Sequence, residues 1–232
     1  MTRSSRRCLP LMIAISTLFC AGPSLAFGVG AYFEYLHGDG ELDSNLTSLF
    51  SGINDAEFEA DKFGVGFALD TNLAQNRLFN YRLMIGYQKT NRDFDAVANV
   101  PLPGSVFTLG NLDAHGFSFN SAFGFGLLRR PHLRLWAGPA IRLGVDVFDT
   151  NNDDIDLVDF SAGGGPVVGL NFHAGQHLTI GLTAGYQYLY VGEILRLDLP
   201  GSEDGAETFD GHEHIAMANI TFFFRSSGDQ FR

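Results

Sequence analysis

Cysteine is almost missing from this chain. Only Cys8 and Cys20 are present, so everything after residue 20 is without a thiol for a disulfide or a thiolate metal site. Beyond the N-terminal region no stretch is apolar for the roughly 20 residues that a spanning helix needs, which excludes helical membrane spans. Positive charge is also short, with 15 Lys and Arg against 26 Asp and Glu and a formal net charge of -11. That balance argues against a nucleic-acid partner, which would call for a basic face.

The N-terminus reads as a secretion signal. Arg3, Arg6 and Arg7 precede the apolar run 9–19, and Ser24-Leu25-Ala26 offers small residues for cleavage after Ala26. Lipidation at Cys20 is not expected, because Thr17-Leu18-Phe19 lacks the small residue that such processing needs before the cysteine. Three basic residues and no acid leave with the signal, which makes the remaining chain more acidic still.

Aromatic residues and glycine are abundant, with 22 Phe and 28 Gly. Their placement has period two. In 178–191, Leu178, Ile180, Leu182, Ala184, Tyr186, Tyr188 and Tyr190 fall on one side, and Thr179, Gly181, Thr183, Gly185 and Gln187 on the other. Such alternation belongs to a strand. Its length suits a tilted strand crossing a bilayer. Eight segments repeat the pattern: 27–36, 61–70, 78–88, 116–127, 133–147, 158–172, 178–191 and 214–224. Pro139 and Pro166 interrupt two of them and predict bulges, since proline removes a ladder donor.

The connections alternate in length. Those at 71–77, 128–132 and 173–176 are short, whereas 38–60, 89–115, 148–157 and 192–213 are long. Barrels of the outer membrane have short periplasmic turns, long external loops and both termini in the periplasm. Two aromatic girdles agree: Tyr35, Tyr87, Phe117, Phe160 and Tyr186 to Tyr190 at the outer ends, with Phe27, Phe79, Phe125, Phe172, Phe222 and Phe224 at the inner ends. The fold class expected is therefore all-β, an eight-stranded antiparallel up-and-down transmembrane β-barrel. Its domains would be a cleaved signal at 1–26, the barrel at 27–224 and a short extension at 225–232. A soluble sandwich or lipocalin-like barrel would bury its apolar face. Here the apolar face is nearly uncharged along six or more strands, while Lys62, Arg82, Arg134, Arg142 and Glu34 share the parity of the glycines, and the membrane barrel is the preferred reading.

The signal, the eight alternating strands, the opening Phe27-Gly-Val-Gly-Ala-Tyr-Phe-Glu-Tyr35 and the final Ile220-Thr-Phe-Phe-Phe224 resemble the small outer-membrane β-barrel family typified by the OmpA membrane domain and OmpX. The resemblance implies a monomer in the outer membrane of a Gram-negative-type cell, in contact with outer-membrane lipid and lipopolysaccharide and inserted by the barrel-assembly machinery. Members usually end on the aromatic residue, whereas 225–232 follow Phe224 here, so both Phe224 and Phe231 are candidates for the assembly signal.

Catalytic groups do not converge. His115 and Ser118 differ in parity, Ser121 lies about 20 Å from His115 along a strand, and His37 has no serine nearby. His212 and His214 stand close together, but the sequence supplies no third group. Asp149-Thr-Asn-Asn-Asp153 begins like a calcium loop, yet Asp154 and Phe160 occupy the positions of its required Gly and Glu. No catalytic residue, cofactor or metal ligand is assigned, and the chain is not expected to be an enzyme. Two function classes follow: a structural or surface-interaction platform with long acidic external loops (Asp39, Glu41, Asp43; Asp149, Asp153, Asp154, Asp156, Asp159; Glu203, Asp204, Glu207, Asp210), or a narrow conduit or binding funnel for small or apolar molecules. Inside the barrel, Glu34 is expected to pair with Lys62 and Asp146 with Arg142, and Arg82, Arg134, Arg142 and Trp136 to fill the room that lumen glycines leave. On the lipid face Leu182→Arg should be costly. Glu213, read as a loop end, should accept the same change.

Overall fold

The computed structural model describes residues 27–44, 55–71, 78–94, 99–102, 105–108, 110–150, 155–197 and 205–225. The signal at 1–26 and Phe231 lie outside them. The strands are β1 (Phe27–Ser44), β2 (Asp55–Thr71), β3 (Phe79–Phe94), β4 (Asn99–Leu102), β5 (Ser105–Thr108), β6 (Asn111–Arg129), β7 (Leu133–Asp149), β8 (Ile155–Ala174), β9 (Leu178–Leu197) and β10 (Gly205–Arg225). Eight of them close in the order β1-β10-β9-β8-β7-β6-β3-β2, each antiparallel to its neighbours, while β4 and β5 form a separate hairpin within the β3–β6 connection. No helix among the described residues is long and apolar enough to cross a membrane.

The register fixes the shape. A path perpendicular to the strands runs from Tyr32 through Gly66, Gly86, Ser118, Gly144, Ser161, Val191 and Gly211, and returns to β1 at Leu42, ten residues further along. Eight strands with that stagger must tilt by roughly 40°. The lumen is then narrow enough for side chains to fill.

Alternation sorts the faces as the sequence implies. Phe67, Phe117 and Phe224 are 75%, 68% and 69% exposed, values that only a lipid-facing wall tolerates in such numbers. The inner girdle contains Phe79 against Phe125 at 5.0 Å, and the outer one Tyr35 against Phe63 at 5.1 Å. Gly175, at φ +80°, makes the tight β8–β9 turn, a backbone state that L side chains avoid.

Three features differ from expectation. The eight barrel strands are 16 to 21 residues long and continue beyond the outer girdle. Above Tyr35 the outward face turns charged at Asp39, Glu41 and Asp43, which removes the apolar marker of a strand, although the inward parity of Gly38, Gly40 and Leu42 continues. Much of what reads as long acidic loop is therefore wall. Second, the prolines produce no bulge where expected. Pro139 and Pro166 face one another across β7–β8, and pairing lapses on their other sides, between Ala122 and Phe125 on β6 and between Gly164 and Val167 on β8. Both missing donors thus point away from the shared ladder. The bulge occurs instead between Gly126 and Leu128, near the Arg130–Leu133 turn. Third, Glu213 is not a loop end but a fully buried lumen residue of β10.

Leu182 is half exposed on the apolar band of β9, between the inner girdle at Phe222, the register partner of Ile180, and the outer girdle at Tyr186. Leu182→Arg should destabilise the folded barrel by about 2 to 4 kcal/mol, measured by reversible denaturant unfolding in lipid vesicles.

Candidate functional site: the lumen and the outer rim

Inward-facing side chains stack in charged layers with apolar clusters between them. At the inner end Arg82 donates through Nε to Asp70 (2.9 Å), through Nη1 to Thr183 (2.8 Å) and through Nη2 to Asn171 (2.8 Å). Its guanidinium lies 5.0 Å from the Trp136 ring and 4.9 Å from that of Phe223. Arg134 donates to Asn80 Oδ1 at 3.3 Å.

At mid-height Glu34 accepts from both terminal nitrogens of Arg142, at 2.8 and 3.2 Å, and from Ser118 at 3.4 Å. Arg142 also donates to Gln88 Oε1 (2.9 Å), and Gln88 Nε2 donates to both Asp146 oxygens at 2.8 Å. Thr90 adds a third hydrogen bond to Asp146 at 3.1 Å. Lys62 Nζ donates to Glu213 Oε2 at 2.7 Å, with both residues buried.

Toward the outer end Arg92 is clamped by Asp159 and Glu193. Its guanidinium sits 4.2 Å from Phe58, 4.8 Å from Phe148 and 6.0 Å from Phe94. Leu42, Leu112, Leu157 and Leu195 join these rings in an apolar cluster at the outer end of the barrel.

The expected partners are corrected. Glu34 meets Arg142 rather than Lys62, Lys62 meets Glu213, and Asp146 takes Gln88 and Thr90 rather than Arg142. Reasoning along the wall pairs neighbours on adjacent strands, whereas a narrow lumen lets side chains reach across it. The glycines act as expected, as seats for large groups. A Cβ at Gly64 would come within 2.6 Å of Glu34, and one at Gly169 within 2.1 Å of the Trp136 indole. Asp70, Arg92, Asp159, Glu193 and Glu213 were missed as lumen residues. For Arg92 the signal was present, since it keeps the parity of Gln88 above the girdle.

The other candidate groups are now placed. Ser118 is inside the lumen and His115 outside, bonded to Tyr87 and 3.3 Å from Asp149. Ser121 donates to Tyr81 at 3.1 Å. Asp149 ends β7, while 151–154 of the calcium-like stretch lie outside the described residues. Histidine marks the outer rim with tyrosine and acid beside it: Asp61 accepts from Tyr35 at 2.7 Å and lies 3.0 Å from His37 Nδ1, and Tyr186 meets His214 Nδ1 at 2.7 Å. The hydrogen bond to Asp61 raises the His37 pKa above its ordinary value.

Arg142→Ala should destabilise the barrel by about 3 to 5 kcal/mol, because it strips a buried carboxylate of its principal partner, and the double change with Glu34→Gln should recover much of that loss. Glu213→Arg, which sets two cations together in the lumen, should be at least as damaging. Unfolding in lipid vesicles measures all three. At the rim, an NMR pH titration should find His37 titrating above 6.5, with Asp61→Asn bringing it back toward that value.

No protein-family profile matches the sequence, and no curated protein matches it either. Solved structures do. The outer membrane protein OprG from Pseudomonas aeruginosa aligns with a TM-score of 0.59 at 9% identity, over 87% of this chain and 96% of OprG. The outer membrane protein AlkL aligns at 0.44 and 12% identity over 89% and 94% of the two chains, and the outer membrane protease OmpT from Escherichia coli at 0.43 and 8% over 89% and 99%. The OprG match joins the closed antiparallel ring and the exposed apolar wall in one conclusion: this chain has the fold of the eight-stranded outer-membrane β-barrels.

Proposed function

We propose that the protein is a non-enzymatic structural and surface-interaction platform of the outer membrane, a monomer whose closed barrel holds a rigid acidic rim outside the bilayer. The observation that carries this reading is the filled lumen. Trp136, Arg82, Arg92, Arg134, Arg142, Tyr32 and Lys62 are all fully buried within a ring too narrow to hold them and a continuous water column. Interaction is then left to the rim, where Asp39, Glu41, Asp43, Glu57, Glu59 and Asp61 are carried by β1 and β2. Both termini of the described barrel are at the end with the short turns, which favours a periplasmic placement for them and an external one for the rim. Lipopolysaccharide would meet the rim through cations, since its phosphates and these carboxylates repel. Insertion would pass through the barrel-assembly machinery, with Phe224 or Phe231 as its recognition element.

A second reading, a binding funnel or conduit for small apolar molecules, draws on one observation, the apolar cluster of Leu42, Phe58, Phe94, Phe148, Leu157 and Leu195 at the outer end of the lumen. Planar-bilayer recording together with uptake into liposomes separates the readings. The platform predicts no steady ionic conductance and no uptake of ionic or apolar solutes beyond protein-free liposomes. Steady nanosiemens-scale conductance of the wild type would overturn it, and selective uptake of an apolar solute would favour the funnel.

A further inference from the structure

The outer rim brings two imidazoles of β10 beside a carboxylate of β1. His212 and His214 alternate along β10, so both rings project from the same outward face. Their centroids are 5.6 Å apart with the planes at 86°. Two imidazoles bound to one cation at a metal–nitrogen distance of roughly 2.1 Å place their ring centres about 5 Å apart, so the observed pair needs only a small adjustment. Across the ladder on β1, Glu41 is the register partner of His212 and Asp39 that of His214. The Glu41 carboxylate is 3.9 Å from His212 Nε2. These are the third groups that the sequence could not supply.

The opposite side is braced by β9. Tyr188 stacks on His212 at 5.6 Å and meets His214 edge-on at 5.0 Å. Tyr186 holds His214 Nδ1 at 2.7 Å. When Nδ1–H donates to the Tyr186 oxygen, Nε2 is left bare and aimed by a partner outside the coordination sphere, the arrangement usual for a metal-bound histidine. The other rim histidines lack this arrangement. By register His37 faces Asp61 and Ala216, and His115 faces Lys89 and Val147, so neither has a second imidazole across from it.

We propose that His212, His214 and Glu41 form a surface site for a borderline divalent transition cation, Zn²⁺ or Cu²⁺, between β10 and β1, with Asp39 as a neighbouring carboxylate and water completing the coordination. Imidazole nitrogen selects such ions over Ca²⁺ and Mg²⁺, which prefer oxygen alone. No three ligand side chains among the described residues already converge on one point. Binding therefore draws Glu41 in across the strand pair, which ties β1 to β10 at the rim.

The test uses the full mature chain without an affinity tag, folded in phosphatidylcholine nanodiscs so that anionic lipid does not compete. Calorimetric titration with Zn²⁺ should give one ion per barrel, unaffected by excess Ca²⁺. Electron paramagnetic resonance of the Cu²⁺ form should show two coupled nitrogens. Tyr186→Phe should weaken binding about 10- to 100-fold as an outer-shell change, and His212→Ala or His214→Ala by more than that. His115→Ala should leave binding unchanged. The proposal is overturned if wild type takes up no more Zn²⁺ than the His212→Ala, His214→Ala double variant, or if the Cu²⁺ spectrum shows no nitrogen coupling. The spectrum of the wild type decides the matter even where a variant fails to fold.

Discussion

A strand surrounded by lipid must give every backbone donor and acceptor to a neighbouring strand, so the sheet has to close on itself. Closure with eight strands and a stagger of ten sets the tilt and the radius together. Side-chain sizes inside answer to that radius. Where a bulky group projects, the facing wall is reduced to glycine: Gly169 and Gly124 make room for Trp136, and Gly64 for Glu34. The same closure leaves proline few tolerable positions. Pro139 and Pro166 are accommodated by facing each other, so that neither missing donor falls on the ladder they share.

Within so narrow a ring a charge has no route to bulk water, and each must be met by another group or be expelled. Arg82 answers Asp70, Arg142 answers Glu34, Lys62 answers Glu213, and Arg92 answers Asp159 and Glu193. Several of these bonds cross the lumen and tie distant strands together. Apolar clusters lie between and above the charged layers, with the largest at the outer end around Phe58, Phe94 and Phe148. Under the proposed reading, a lumen occupied in this way leaves exchange with the surroundings to the rim. There the strands continue past the girdle and hold histidine, tyrosine and carboxylate at fixed register, a more exact support than loops provide.

Much of this is legible in the sequence. Period-two alternation, two aromatic girdles and short and long connections in turn fixed the class, the strand count and the lipid-facing positions, because each follows from local geometry and from the solvent each face meets. The role of glycine as the complement of Trp136 and the arginines was legible too, since the two sets share a parity. Strand ends were not. The outward face stops being apolar where the bilayer ends although the ladder goes on, so residues such as Asp39, Glu41 and Arg92 read as loop.

Within the apolar band, sequence by itself determined which side of the wall a residue takes, since alternation permits only two choices. Tertiary structure decided which residues meet. Partners within the lumen depend on the stagger of the closed ring and on reach across its diameter, and neither is encoded in any one strand. Glu34 and Lys62 are near neighbours along the wall, yet they turn to Arg142 and Glu213. The same register places Glu41 beside His212 and Asp39 beside His214, although more than 170 residues of chain separate each pair.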